Sequence, residues 1–332
     1  MKILHITPLN SNSELPVFIK NQIEYLDRHD LINEIYGFQS NKLSIIRPLV
    51  FFYSIRDLYK ALHKTDSKVI HAHWGSILGF LVVILKAKSK KTILSVRGSD
   101  INWSPNDSIL LNFTRQFFTI LAAIGADQII VMSQQLKNKL FFVRHKITIT
   151  PDGTPVNIFY PHDRNKVKKE LNLDENKKYV TFHCGKRPIS KNLELASKIF
   201  DKIKVEIQNA ELIVLEDDKS QNVVAKLLSA SDLLLFTSRN EGSPNIVREA
   251  IACGCPVVST RVADVEKWIE KSGVGAVMDS DYILMANASV RIIKMGMRTK
   301  KDAIKEATSE AVNLKLIEEY KRLVDDLIII NE

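Results

Sequence analysis

The chain has 332 residues, of which 45% are hydrophobic and 26% charged, a composition that excludes a disordered or fibrous protein and provides for two domains. Its longest apolar stretch, residues 77–85, is shorter than the about 20 residues that a membrane-spanning helix needs. The three cysteines have no disulfide-framework spacing, so we expect a reducing, cytoplasmic compartment, and we expect the start MKILHIT to be a first strand rather than a leader segment.

The formal net charge of +9 is unevenly distributed along the chain. Residues 1–150 contain 19 Lys and Arg against 10 Asp and Glu, a net of +9, whereas residues 151–332 contain 28 of each. This asymmetry predicts that the first half meets an anionic partner.

Short β-rich runs alternate with amphipathic helical stretches, which predicts parallel sheets flanked by helices. In the first half, we predict strands near 2–7, 33–38, 68–73, 91–96, 128–132 and 146–150. Helices are predicted near 15–29, 44–64, 77–88, 107–124 and 133–141, the last with Ser133 as its N-cap.

A proline-containing segment, residues 151–173, interrupts this alternation and predicts an interdomain linker. The second half continues with predicted strands near 179–184, 211–216, 232–237 and 255–260, and helices near 192–207, 221–230 and 244–253. A long helix is predicted at the end of the chain. The expected organisation is an N-terminal domain (1–157), a linker (158–175), a second domain (176–310) and a terminal helix (311–332).

The most informative segment is SASDLLLFTSRNEGSPNIVREAIACGCPVVST, residues 229–260. A strand runs into a polar loop, and a helix is predicted to begin with Ser243 as N-cap and Pro244 in its first turn. The free amides of that turn and the helix dipole form an anion site. Gly242 has no side chain, so a ligand can approach the backbone there. Glutamates near a helix start often only complement the dipole, but Glu241 precedes the cap and Glu249 lies beyond the first turn.

A second segment, HCGKRPISKNLELA at residues 183–196, places a basic loop between a strand and a helix. The loop begins at Gly185 and contains Lys186, Arg187 and Lys191. Cations at a strand end suit a diphosphate, although a solvated basic loop is the plain alternative.

The EGSPNIVREA core and the CPVVST strand resemble the signature of the family 4 retaining glycosyltransferases. The resemblance implies the GT-B architecture, α/β, with two Rossmann-like doubly wound domains facing each other across a cleft and the terminal helix packing back on the first. It also implies that the helix start, including Asn245, holds the donor diphosphate. Glu249 would then bind the ribose and Glu241 the transferred sugar.

The same resemblance assigns the basic loop to the leaving diphosphate. Lys191 occupies the family's lysine position. The arginine position matches Lys186 by spacing, but Arg187 is chemically the better bidentate partner, and both assignments stay open.

The first half resembles the family more loosely. His71 and His73 stand in IHAHWGS like the family's two-histidine strand, where packing is the expected role of at least one. Arg97 replaces a histidine that many relatives carry near the sugar, while Asp100 is retained as a predicted site residue. In the loop after the first strand, Asn10 and its polar neighbours replace paired glycines, and we expect them to form a phosphate pocket.

These assignments predict a retaining transfer of a hexose or related sugar from a nucleotide diphosphate sugar, with UDP preferred over GDP or ADP. The expected acceptor is a lipid-linked surface glycan precursor, such as that of lipopolysaccharide or capsule. We expect no nucleic-acid partner and no cofactor besides the donor. Because we expect no Asp-x-Asp pair at a strand end to hold a divalent ion, we also expect no metal. The alternatives are a nucleotide-sugar epimerase of the same architecture and a catalytically silent sugar-nucleotide-binding protein.

The charge asymmetry further predicts peripheral contact with the anionic inner face of the cell membrane. The alternative is that the lysines are solvated and the phenylalanines form core. The residues expected at this contact are Lys86, Lys88, Lys90, Lys91, Phe113, Arg115, Phe117 and Phe118.

Overall fold

The computed structural model describes residues 1–10, 12–39, 48–185, 187–216 and 219–331. The chain divides into two compact units. Unit 1 consists of residues 1–103, 107–153 and 309–332, and unit 2 of residues 104–106 and 154–308.

The core of unit 1 is a parallel sheet of six strands in the order β2-β1-β3-β4-β5-β6. The strands are short and rich in buried Val, Ile and Leu, as expected for a sheet that is covered on both faces. They are β1 (Lys2–Leu9), β2 (Ile32–Gln39), β3 (Val69–Ala72), β4 (Lys91–Val96), β5 (Gln128–Val131) and β6 (Ile147–Ile149).

Helices connect these strands as the alternation predicts. They are α1 (Val17–Asp27), α2 (Pro48–Lys64), α3 (Ser76–Leu85), α4 (Ile109–Gly125) and α5 (Gln134–Lys139), and a 3-10 helix spans Phe141–Lys146. The first residues of the predicted helix 44–64, up to residue 47, lie outside the described residues. Ser133 stands at the N-cap of α5, but its side chain does not cap the helix.

Unit 2 contains a parallel sheet of five strands in the order β11-β10-β9-β7-β8. They are β7 (Lys178–His183), β8 (Ala210–Leu215), β9 (Leu233–Phe236), β10 (Val257–Thr260) and β11 (Gly275–Met278). The helices are α6 (Arg164–Glu170), α7 (Pro188–Lys191), α8 (Leu193–Glu206), α9 (Gln221–Ala230), α10 (Asn245–Ala252), α11 (Val265–Ser272) and α12 (Tyr282–Met295), and a 3-10 helix spans Lys301–Ala307.

The last described helix, α13 (Ser309–Asn331), returns to unit 1. Leu316, Ile317, Tyr320 and Leu323 lie in the hydrophobic core that the unit 1 sheet forms. The terminal helix that the apolar spacing predicts is therefore a component of the first core.

The segment predicted as linker, residues 158–175, belongs to unit 2 in the structure. It contains α6, and Phe159 is only 1% exposed within the core that includes α10. The segment is a packed part of unit 2 rather than an independent linker, because its apolar side chains Phe159 and Val167 are buried.

Both units are doubly wound α/β domains, as predicted, and they share one strand order. Written from the first strand of each unit, the order is 2-1-3-4-5, with a sixth strand in unit 1. Among the described residues, no helix combines the length and apolarity that crossing a membrane requires.

Candidate active site

The switch point of the unit 2 sheet lies where β7 meets β9 while β8 continues on the other side. In open α/β sheets, ligands bind at the carboxyl ends of strands at such a point. A cavity of about 360 Å³ occurs there. Its lining comes from the ends of β7 and β8, the loops after β8 and β9, and helices α7, α9 and α10. The lining residues are His183, Lys191, Leu215, Glu216, Lys219, Val224, Glu241, Ser243, Pro244, Asn245, Ile246 and Glu249.

The helix that closes this cavity begins one residue later than predicted. Pro244 is the N-cap of α10, and no side chain caps the helix. The prediction of Ser243 as N-cap is wrong, because its hydroxyl donates to Asp264 Oδ2 at 2.8 Å and accepts from Arg248. The first-turn amides therefore keep their capacity to bind an anion.

Arg248 explains why Ser243 does not cap. Its guanidinium is fully buried, so its N–H groups need acceptors, and it donates to Ser243 Oγ and to Asn245 Oδ1 at 2.6 Å. The group also lies 5.8 Å from the ring centre of Trp268. Arg248 thus fixes the loop before α10, a positioning role that the sequence analysis did not assign.

Lys191 and Glu241, both predicted site residues, form an ion pair at the cavity. The Lys191 ammonium lies 2.6 Å from Glu241 Oε1, and both side chains are mostly buried. The loop after β9 holds the lysine in place, since Thr237 Oγ1 donates to the Lys191 carbonyl at 2.8 Å and Arg239 N donates to the Ser190 carbonyl at 2.9 Å. The cavity therefore pairs the Lys191 cation with the Glu241 carboxylate.

Glu249 lies within α10 and forms part of the wall of the cavity. Burial raises the pKa of its carboxyl to about 7, and the neighbouring Arg248 only partly opposes this shift. Near neutral pH, Glu249 can therefore both donate and accept a hydrogen bond, which suits paired hydroxyl groups.

The structure adds Glu216, Lys219 and His183 to the predicted cavity residues. They belong to two other strand ends, β7 and β8, which the strand order brings beside β9. A charged residue at the end of the predicted strand 211–216 was the available signal for Glu216.

Of the other predicted residues of unit 2, the described ones, Gly185, Arg187 and Gly242, do not line this cavity. Gly185 has a φ of +54°, which favours glycine, and allows the chain to turn directly after β7. Arg187 is exposed, Gly242 is buried beside the cavity-lining Ser243, and Lys186 lies outside the described residues.

In unit 1, Asp100 is 1% exposed and its carboxylate is occupied by backbone groups. It accepts from the amides of Gly75 at 3.1 Å, Arg97 at 3.2 Å and Gly98 at 2.9 Å. Burial raises the pKa of this carboxyl, while the three amides oppose the shift. The geometry makes Asp100 the residue that ties together the loops after β3 and β4.

A directed chain of hydrogen bonds surrounds the switch point of unit 1. Arg97 can only donate, so its Nη2 donates to His73 Nδ1 at 3.3 Å. His73 Nε2 then donates to His5 Nδ1 at 2.9 Å, and His5 Nε2 donates to Asn33 Oδ1 at 2.8 Å. The Asn33 amide nitrogen donates to Asp27 at 2.7 Å, which fixes the direction of the chain.

The third histidine of this cluster is also saturated. His71 Nδ1 lies 2.6 Å from the Tyr320 hydroxyl, and its Nε2 lies 2.7 Å from Ser95 Oγ. Burial lowers the pKa of His5 to about 4 and holds those of His71 and His73 well below the ordinary value, so the three rings are neutral at pH 7.

His5, His71 and His73 could together hold a metal ion, since one ring nitrogen from each lies within 4.8 Å of the other two in the described structure. A metal ion there would have to displace the hydrogen bonds just described and lie beside the cationic Arg97. The donor set therefore fits a hydrogen-bonded core better than a metal centre.

Two further candidates for metal binding have other roles. The cysteine pair, Cys253 and Cys255, is buried, and burial raises both thiol pKa values to about 12. An Asp-x-Asp pair, Asp279 and Asp281, follows β11, so the expectation that no such pair stands at a strand end is wrong. The reason is that the sequence pattern does not predict β11. Of this pair, Asp281 caps α12 through its carboxylate and Asp279 is almost fully exposed.

The loop after β1 is closed by Asn10 itself. Asn10 Oδ1 accepts from the amides of Asn12 at 3.0 Å and Glu14 at 2.8 Å, so those amides do not face a ligand. The left-handed residue is Ser13, with a φ of +63°, rather than either asparagine. Ser11 lies outside the described residues.

Known proteins are similar to this chain both within unit 2 and over most of its length. Residues 170–295 match the family described as glycosyl transferases group 1. The matched range contains the cavity-lining residues of unit 2. Over 340 aligned positions, the chain is 22% identical to the N-acetyl-alpha-D-glucosaminyl L-malate synthase of Bacillus anthracis, covering 90% of this chain and 86% of that protein.

Solved structures match over almost the full length. Sucrose-phosphate synthase from Thermosynechococcus elongatus superposes with a TM-score of 0.73 at 15% identity, covering 98% of this chain and 100% of that one. The Anabaena protein HepE, solved with UDP and glucose, gives a TM-score of 0.69 at 14% identity, covering 97% and 99%. The fold is GT-B, as predicted.

Proposed function

For this group 1 glycosyltransferase of the GT-B fold, we propose a retaining transfer of a hexose or related sugar from a nucleotide diphosphate sugar that binds in the unit 2 cavity. The observation that carries the proposal is the uncapped start of α10 beside Lys191. A helix N-terminus and an ammonium group together provide a site for a diphosphate. The two carboxyl groups of the same cavity then remain for the hydroxyls of the donor.

The proposed roles follow from these positions. The α10 amides and Lys191 stabilise the charge that develops on the leaving diphosphate, and Arg187 or Lys186 supports them from the basic loop. Glu249 binds the ribose, and Glu241 contacts the transferred sugar. When the diphosphate enters, it competes with Glu241 for Lys191, so donor binding exchanges one ion pair for another.

We propose that no metal ion takes part, since the helix start and the lysine supply positive charge where the phosphate departs. Chelation provides the test. Transfer should continue unchanged in the presence of EDTA, whereas a loss that added Mg²⁺ or Mn²⁺ restores would contradict the proposal.

A UDP-sugar is the proposed donor, supported by the UDP and glucose present in the HepE structure of the same fold. A thermal-shift and calorimetric screen of UDP, GDP and ADP identifies the base, and labelled sugars of that nucleotide then reveal the reaction. Slow donor hydrolysis, or transfer to an added acceptor, supports a transferase. Isomerised donor would favour an epimerase, and binding without turnover a silent binding protein.

The proposed acceptor is a lipid-linked surface glycan precursor at the inner face of the cell membrane, which the +9 charge of residues 1–150 supports. Labelled donor incubated with cell membranes should give label that is extracted with lipid. Label recovered only in water-soluble products would contradict this acceptor class.

A further inference from the structure

Helix α4 presents a continuous apolar surface to solvent. Leu110, Phe113, Phe117, Ile120 and Ile124 recur at helical spacing and define what we name the α4 apolar face. Leu110 is 76% exposed, Phe113 60% and Phe117 57%. Beside the face, the indole of Trp103 lies 5.9 Å from the Phe113 ring and is also exposed.

The apolar pattern of this helix is inverted relative to an ordinary surface helix. Its fully buried residues are small or polar, namely Asn112, Thr119, Ala122 and Ala123, whereas most of its large apolar residues are exposed. A surface helix of a globular domain normally turns charged residues to solvent. Burial in unit 1 therefore does not explain why these outward positions are large and apolar.

The exposure does not arise from loose packing of the helix. A Cβ on Gly125 would lie 2.4 Å from Val83 Cγ1, so α4 lies close against α3 at this end. Phe118 packs on Phe80, with ring centres 5.2 Å apart. The helix is fixed in place while its outer face stays uncovered, and such a patch indicates a binding surface.

The charge around the face indicates which partner covers it. Residues 76–150 contain 10 Lys and Arg against three Asp and Glu. All three acids are occupied within the unit: Asp100 accepts three amides, Asp107 pairs with Arg115, and Asp127 pairs with Lys86 and Lys91. Residues 76–150, which include α4, therefore have a net charge of 10 − 3 = +7, and their own carboxylates are all occupied.

Three cations of residues 76–150, one of them bound at the end of α4, have no carboxylate partner among the described residues. The Lys146 ammonium binds the carbonyls of Ile124 and Ala126 at 2.7 and 2.6 Å, at the end of α4. Arg144, on the same 3-10 helix, and Lys88, which follows α3, are exposed. Neither forms an ion pair with a carboxylate in the described part of the chain.

From these observations we infer that the α4 apolar face is the surface by which the protein binds an anionic lipid bilayer. Phe113, Phe117 and Trp103 enter the interfacial layer, and the flanking cations meet anionic headgroups. A second copy of the chain would bring the same positive surroundings against each other, which disfavours self-association through this face. The inference extends the proposed lipid-linked acceptor, but it is testable without donor or acceptor.

The structure also corrects which residues make the contact. Lys90 is buried and donates to the Thr65 carbonyl, and Lys86 and Lys91 pair with Asp127, so the predicted lysine cluster is largely occupied. Only Lys88 of that cluster remains exposed without an ion pair among the described residues.

Co-sedimentation measures the binding, with vesicles of phosphatidylcholine alone or mixed with phosphatidylglycerol. The protein should bind the mixed vesicles at low salt and weakly or not at all bind the neutral ones. The double variant Phe113→Gln/Phe117→Gln should lower affinity by about tenfold or more, since each side chain loses apolar burial. The variant Lys88→Gln/Arg144→Gln should lower it about 25-fold, from about fivefold for each charge.

The matched control is Val205→Gln/Leu284→Gln, which replaces two exposed apolar residues of unit 2. It should bind vesicles like the unchanged protein. Equal binding by the phenylalanine variant, or no binding to anionic vesicles at low salt, overturns the inference. A dimer in light scattering that dissociates on the phenylalanine change, without an effect on vesicles, also overturns it.

Two readouts separate this inference from the proposed function. Unfolding temperatures of all variants should match the unchanged protein, because the replaced residues are exposed. Nucleotide affinity should also be the same, because it depends on unit 2. Loss of vesicle binding with intact nucleotide binding thus concerns the membrane surface alone, and the converse concerns the proposed function alone.

Discussion

The two units share a strand order but use the switch point of the sheet in opposite ways. In unit 1, His5 of β1 lies directly beside His71 of β3, and the polar groups there bond to one another. In unit 2, the equivalent point between β7 and β9 opens into a cavity lined by Lys191, Glu241 and Glu249.

Polar residues at the switch points of the two sheets therefore have different roles. A buried polar group must be paired, and unit 1 satisfies that need internally, which stabilises one conformation. Unit 2 leaves the α10 amides without a side-chain cap and places Glu249 where burial raises its pKa. Changes at the switch point of unit 1 should therefore affect mainly stability, and changes at the switch point of unit 2 mainly binding and rate.

The largest expected effect comes from Arg97→Met in unit 1. The change removes donors to His73 and the ion pair with Asp152 in a mostly buried place, and should lower the free energy of unfolding by about 3–5 kcal/mol. Chemical denaturation measures this loss, with Arg56→Met on α2 as an exposed control. Unchanged stability with lost transfer would show that Arg97 contacts the sugar instead.

Lys191→Ala should lower the transfer rate about 10²–10³-fold while the unfolding midpoint changes little, because one preorganised charge on the leaving group is lost. Steady-state kinetics provides the measurement. Lys198→Ala is the matched control, since Lys198 also pairs with a glutamate but lies outside the cavity. A near-normal rate for Lys191→Ala would assign the loop to solvated surface.

Glu249→Ala should weaken binding of the free nucleotide by about tenfold or more, the usual size for a hydrogen bond to a charged group. Glu241→Ala should not weaken it, because its proposed partner is the sugar and because its removal leaves Lys191 to the diphosphate. Calorimetry with UDP compares the two. Equal losses for both variants would contradict the division of roles.

The last comparison of the two units concerns pH. The folded pKa of Glu249, about 7, lies above its ordinary value of 4.5, so ionisation destabilises the folded state as pH rises through this window. Glu249→Gln should therefore gain stability relative to the unchanged protein between pH 5 and pH 8, by up to about 2 kcal/mol. Denaturation curves at both pH values measure the difference, and a pH-independent difference would show that Glu249 ionises normally.

Much of the fold follows from local pattern, because buried parallel strands are continuous apolar runs. QIIVM and DLLLFT illustrate this, since each forms a fully buried strand. β11 escaped prediction because it is only four residues long, begins at Gly275 and follows Gly273, two glycines with positive φ. Missing that strand also concealed the Asp-x-Asp pair behind it.

The sequence predicts those cavity-lining residues that lie close together in the chain. Lys191, Glu241, Ser243, Pro244, Asn245 and Glu249 were each recognised within two short segments, and all line the cavity. Glu216 and Lys219 were not recognised, since the order of strands decides which ends meet. Local pattern also does not reveal that Arg248 is buried and donates to the Ser243 hydroxyl, which therefore does not cap the helix.

The position of α13 has a consequence for synthesis on the ribosome. Tyr320 binds His71 and completes the unit 1 core, yet α13 follows all of unit 2 in the chain. Domains usually fold in the order in which they emerge. Here the second unit can close first, while the first waits with part of its core uncovered. Nascent chains arrested after Thr308 should contain a protease-resistant second unit and a protease-sensitive first, and equal resistance of both would contradict this order.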